Sequence, residues 1–245
     1  LEIPVEAAVV LSDETVRVTR SWQDTHIGQD FRLVDEGLEI HTSVDWHAQD
    51  CLLRLEADLD VLAPHSDAET MYGFVQRTTT TNTSWEQAKF ETCGHRWLHL
   101  AEPGYGITVL TPTTYGHQIT RQPRDGGGIF TRVGCSLLRS AAFPDPRRDA
   151  GRREFRHVVC PGAGIPDAVR LADEQSFGVR RVIGAGPVAP AVHVEGGTVA
   201  LEALKLAEDG SGDVIVRIRE TCGTASAAAV QLCVPATVVE CDLIE

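Results

Sequence analysis

The longest unbroken periodicity in the chain runs from Leu53 to Val61, where Leu53, Leu55, Ala57, Leu59 and Val61 alternate with Arg54, Glu56, Asp58 and Asp60. A period of two sorts these side chains onto the two faces of a strand, whereas a helix would scatter them around its axis. Shorter alternations predict strands at Val16 and Val18, at Phe31 to Leu33, from Leu38 and Ile40 through Val44 to His47, at Met71 to Arg77, at Val133 to Leu138 and at Phe155 to Val159. Between them, Pro64 to Asp67 reads as a loop, Thr78 to Trp85 as a polar loop, Arg121 to Gly128 as a flexible one, and Phe143 to Asp149 as a proline-stiffened connection.

Only Pro166 to Phe177 reads as a helix, with Ala168, Leu171 and Ala172 on one face and Asp173 and Glu174 outward. The breakers Gly184, Gly186 and Pro187 predict a linker and a boundary over 183–190. Beyond it, Val199 and Leu201 fall out of phase with Leu204 and Leu206 at Ala203, the mark of a β-bulge. Val214, Val216 and Ile218 supply the next strand across Glu208 to Asp213, a hairpin loop that lacks the ligand spacing of a calcium loop. Two last strands are expected in Ala225 to Val234 and Ala236 to Leu243. The architecture is therefore all-β and mostly antiparallel: a large β-sandwich over 1–177 and a smaller β-sandwich piece over 187–245.

Composition narrows the partners more than the fold. With 245 residues and 42% hydrophobic content the chain can build a sizeable core. A net charge of -13 argues against a nucleic acid or an anionic membrane surface, because both are bound by neutralising phosphates. No run approaches the roughly 18 apolar residues of a membrane-spanning helix. Seven cysteines form no CxxC pair, and an odd count fits free thiols in a reducing cytoplasm better than a disulfide framework.

The most specific stretch is Phe90 to His117. Arg96 to Leu100 and Gly106 to Leu110 flank Glu102-Pro103-Gly104 as the two arms of a hairpin, followed by Tyr115-Gly116-His117. Taken with Arg77, with Asn82-Thr83-Ser84-Trp85-Glu86 and with Ser136-Leu137-Leu138-Arg139-Ser140, this stretch resembles the carboxyl-terminal β-sandwich region of glycoside hydrolase family 38, the α-mannosidases of bacterial or cytosolic type. The resemblance extends to Lys205 to Gly210, Val214 to Arg217 and Glu240 to Leu243, and it departs from the family at Ala48, where an acidic residue is usual, and at Thr78-Thr79. It implies a supersandwich of galactose-mutarotase-like type. It also implies a parent that hydrolyses terminal α-mannosides with retention, with zinc or another divalent metal and the carboxylate nucleophile in an upstream catalytic domain. The opening at Leu1 and the stop at Glu245 then suggest a piece of that longer protein.

The residues themselves offer no catalytic set. Retaining glycosidases need two carboxyl groups about 5 to 5.5 Å apart, and the acids of Arg54 to Asp60 lie on a periodic solvent face. His95 and His99 have the spacing of a helical metal pair, but on a strand four residues separate side chains by about 13 Å. Cys93 with His95 lacks an activating helix terminus. No cofactor or metal is therefore expected in this chain. As groups at the edge of a mannose-containing oligosaccharide, the resemblance implies Arg139, with Arg77 and Tyr115 behind it; an arginine fork can hold adjacent hydroxyls or orient a carboxylate. Two other readings stay open: a stand-alone carbohydrate-binding module presenting Trp85 and Tyr115, and a structural or oligomerisation domain.

Overall fold

A computed structural model describes residues 2–178, 182–184, 186 and 189–244. The chain divides into two compact units, Leu1–Ser176 and Phe177–Glu245. The linker expected over 183–190 includes residues 185, 187 and 188, which lie outside the described residues.

The first unit contains, in chain order, β1 (Ala7–Ser12), β2 (Thr15–Trp22), β3 (Thr25–Val34), β4 (Gly37–Trp46), β5 (Leu52–Leu59), β6 (His65–Thr70), β7 (Gly73–Thr78), α1 (Ser84–Ala88), β8 (Thr92–Cys93), β9 (Trp97–Glu102), β10 (Tyr105–Leu110), β11 (Gly116–Pro123), β12 (Ile129–Arg139), β13 (Gly151–Pro161) and α2 (Ile165–Ser176). Nine strands form one sheet in the order β1-β2-β3-β4-β13-β10-β9-β6-β7, and four form a second in the order β5-β12-β11-β8. Every pairing is antiparallel. The all-β sandwich predicted from the alternation is the observed fold.

The two sheets enclose two apolar clusters. One joins Leu98, Leu100, Ile107 and Val109 of the large sheet to Val133 and Cys135 of the small one. The other joins Ile27, Val44, Trp46 and Phe155 to Leu53, Leu137 and Leu138. A third cluster lies on the opposite face of the large sheet, where α2 buries Ala168, Val169, Leu171 and Ala172 against Trp97, Leu110 and Val158. Strands β9 and β10 are thus covered on both faces, which is why the hairpin of the sequence reads Trp-Leu-His-Leu and Ile-Thr-Val-Leu without a solvent side. Gly104 turns that hairpin at φ +85°, a conformation in which a glycine pays no steric penalty.

Four local expectations are corrected. Pro64 to Asp67 is not all loop: β6 starts at His65, and the polar Ser66, 4% exposed, hides a buried strand position. Met71 and Tyr72 are the turn before β7 rather than its beginning, with Tyr72 at φ +61°. Thr78 to Trp85 runs into a helix, because Thr83 and Glu86 cap each other's backbone N–H groups in a capping box. Of the loop expected over Arg121 to Gly128, the first residues prolong β11 to Pro123, and the left-handed Gly126, Gly127 and Gly128 confine the turn to the stretch between Pro123 and β12.

The second unit contains β14 (Val192–Glu195), β15 (Val199–Leu206), β16 (Val214–Glu220) and β17 (Ala229–Leu232), paired as β14-β17 and β15-β16. The bulge falls between Leu201 and Ala203, where the phase slip placed it. Ala236 to Leu243 forms no strand; Val238, Val239 and Leu243 are exposed, so the apolar pattern there finds no pairing edge.

Candidate functional site

Tyr115 and Arg77 come together around one buried histidine. His117, 3% exposed, opens β11 and places Nε2 3.1 Å from the Thr92 hydroxyl. Burial, and then the positive charge of Arg77, depress its pKa to about 4. Arg77 reaches this point from β7, with its Nη1 atom buried and without a partner among the described residues. Glu91 closes the cluster by accepting from the Ser136 hydroxyl. At Gly116 a Cβ would sit 2.7 Å from Glu91 Oε1 and 3.2 Å from the Ser136 Cβ, so a larger residue there would displace the Glu91 carboxylate. Gly94 has the same role on the other side, where a Cβ would meet the His117 ring at 3.0 Å.

From this buried group the surface is reached through Tyr115. Tyr115 is 60% exposed, and its ring stacks on His95 with centroids 6.0 Å apart and planes 20° apart. His95 Nδ1 lies 3.5 Å from Glu69 Oε2, and Glu69 is buried. The carboxylate also binds the backbone N–H, Nε and Nη2 of Arg96, whose Nη1 donates to Asp173 of α2 at 2.6 Å. The Glu69 hydrogen bond holds the Arg96 pKa above its ordinary value. A chain of contacts therefore runs from an exposed stacked pair to helix α2.

Arg139 stands apart from that pair. It ends β12 three residues beyond Ser136, roughly 10 Å along the strand. Its exposure has a cause in the strand: the register shifts between Ser136 and Leu138, so Leu137 and Leu138 are both buried and the residue after them turns outward. Asp149 fixes the position by accepting from the Arg139 backbone N–H at 2.9 Å.

Neither histidine of the spaced pair shares a ligand position with the other. His99 is buried in β9 with Nδ1 3.1 Å from the Thr108 hydroxyl, and His95 stacks on Tyr115. Among the described residues no group of three or more His, Cys, Asp or Glu side chains converges on a metal position. Glu56 and Asp58 both face Arg132, at 3.8 and 2.6 Å, as a surface ion-pair group. Trp85 is exposed on α1 and Tyr115 in its loop. Sequence reasoning passed over His117, Glu69 and Glu91; the Gly94 and Gly116 neighbours of His95 and His117 were the available signal, since each marks a close approach.

The pattern described as "Glycosyl hydrolases family 38 C-terminal domain" matches residues 5–147, and "Glycosyl hydrolases family 38 C-terminal beta sandwich domain" matches residues 198–245. The chain belongs to glycosyl hydrolase family 38. It is similar to alpha-mannosidase 2C1 of Homo sapiens, 32% identical over 219 residues, which cover 85% of this chain and 20% of the relative. Alpha-mannosidase G of Dictyostelium discoideum is 30% identical over 77% of this chain and 17% of its own length. An alpha-mannosidase structure from Enterococcus faecalis V583 shares the fold, with a TM-score of 0.74 at 12% identity over 94% of this chain and 31% of that one. The family 38 chain thus spans about a fifth of the human relative's length, and it carries C-terminal domains of the family.

Proposed function

We propose that this chain is the non-catalytic carboxyl-terminal region of an α-mannosidase that removes terminal α-linked mannose with retention. The catalytic domain upstream in the same polypeptide would hold zinc or another divalent metal and the carboxylate nucleophile. No side-chain set among the described residues fits a metal, so no step is assigned to one here. The chain's own part is to support that domain and to edge the sugar site: Tyr115 offers an exposed ring face, and Arg139 and Arg77 offer planar donor forks to hydroxyls or to a carboxylate. The observation that carries this is the family match over 5–147, which spans all three residues. All seven cysteines are free, which supports a cytoplasmic setting.

The test is steady-state kinetics of the full-length polypeptide on a mannose-containing oligosaccharide with Arg139→Ala, Arg77→Ala and Tyr115→Ala. A rise in KM or a fall in kcat of roughly tenfold, about 1.4 kcal/mol, is expected for Arg139→Ala or Tyr115→Ala with the thermal midpoint kept. Wild-type kinetics for all three would remove the edging role.

A further inference from the structure

The large sheet is wider than the small sheet that covers it. Cross-strand partners share a face, so the register can be followed outward from the covered strands. Thr42 faces Gln29, which faces Val18, which faces Ala8; Ile40 faces Phe31, which faces Val16, which faces Val10. Ile40 and Thr42 are buried, whereas Val10 at the far end of the row is 71% exposed. Ile27 and Gln29 of β3 are still buried, so the inner face continues uncovered across β2 and β1. The cover stops at β5, which ends the small sheet with one edge unpaired among the described residues. A strand edge of eight residues left open beside an uncovered sheet face is a template for another strand.

The space between that edge and the overhang is a cleft of about 1070 Å³, walled by Trp22, Trp46, Leu53 and Leu55. Two polar atoms of its lining residues, Trp46 Nε1 and Arg54 Nε, are buried without a partner among the described residues. Of its arginines, Arg132 is engaged with Asp58, Arg20 with Gln29 and the Ile3 carbonyl, and Arg54 through Nη1 with Gln118. With Trp22, Trp46, Leu53 and Leu55 on its walls, the cleft suits apolar side chains and the backbone groups of an extended chain. Glu2 and Ile3 themselves line the cleft, so the chain leading into β1 runs along it.

We propose that an extended segment of the longer polypeptide, on the amino-terminal side of this chain, adds to the free edge of β5 and lays alternate apolar side chains on the overhang. This rests on the proposed membership of the chain in a longer α-mannosidase. One added strand covers about 4.8 Å of sheet width, so reaching over β2 and β1 takes two, the size of a hairpin. The attachment of the upstream part is then a continuous sheet, not a contact between finished domains.

The test compares backbone hydrogen exchange in the native polypeptide and in this 245-residue chain, with Val10→Lys made in both. In the native polypeptide the peptides over β5 and β1–β2 exchange slower by about tenfold or more, and Val10→Lys lowers its melting temperature while leaving that of the short chain unchanged. Equal exchange in the two forms overturns the inference and leaves the α-mannosidase reading standing. A native polypeptide no longer than this chain overturns both. Protection of β5 in the short chain that grows with its concentration would assign the edge to a second copy. Protection on adding α-linked mannotriose would assign the cleft to a saccharide. Either of these overturns the proposal.

Discussion

Strands β9 and β10 and strands β1 and β2 belong to one sheet, yet they live in different surroundings. The first pair is covered by the small sheet on one face and by α2 on the other, and Trp97, Leu98, Leu100 and Leu110 are at most 1% exposed. The second pair ends the sheet with Val9, Val10 and Leu11 more than half exposed. A run of apolar residues therefore means core in one place and an open surface in the other. Pattern reports which residues can share a face; only the partner sheet decides whether that face is dry.

The comparison predicts unequal costs. Glu69→Ala should be the most damaging, because it strips three hydrogen bonds from the largely buried Arg96 and leaves Asp173 as the carboxylate still facing that charge, at a cost of about 3–5 kcal/mol. Leu100→Ala falls next, at about 2–5 kcal/mol for a cavity between the sheets. Denaturant unfolding checks both, and either change costing no more than a surface substitution would break the contrast. Counted per group, acid comes third. His117 and His157 sit between the covered strands with pKa values depressed to about 4 by burial. The unfolded chain binds protons below 6.5 while the folded one resists to about 4, so stability is full above 6.5 and is lost as pH falls through that window. Each shift corresponds to on the order of 3 kcal/mol, and a chain equally stable at the two ends of the window would contradict it. Thr83→Ala removes the α1 cap for about 1 kcal/mol. Val10→Ala on the open strand should stay within about 0.5 kcal/mol in this chain.

Much of this contrast was legible from the sequence, and the rest was hidden for identifiable reasons. The hairpin of β9 and β10, the long strand β5, helix α2 and the bulge at Ala203 all follow from apolar spacing, which packing then reinforces. Strand β6 was hidden because its buried positions include the polar Ser66, whose backbone pairs with β9 at Leu100, and Glu69, which binds Arg96. Helix α1 was hidden because its start lies in the Thr83–Glu86 cap and not in an apolar stripe. For the candidate site, the resemblance named Tyr115, Arg77 and Arg139 as expectations, but spacing had no means to place Arg77 beside His117 or to turn Arg139 outward by a bulge at Leu137. Those depend on which strands become neighbours across tens of residues, and a local pattern does not carry that information.

The proposed function places the catalytic groups outside this family 38 chain. The direct measurement is hydrolysis of a chromogenic α-mannoside by the purified 245-residue chain with added zinc or cobalt, with bound metal assayed in parallel and the full-length polypeptide as the active reference. No turnover and no stoichiometric metal are expected in the short chain while the full polypeptide turns over. Metal-dependent turnover by the short chain would contradict that proposal and place the catalytic groups within these 245 residues.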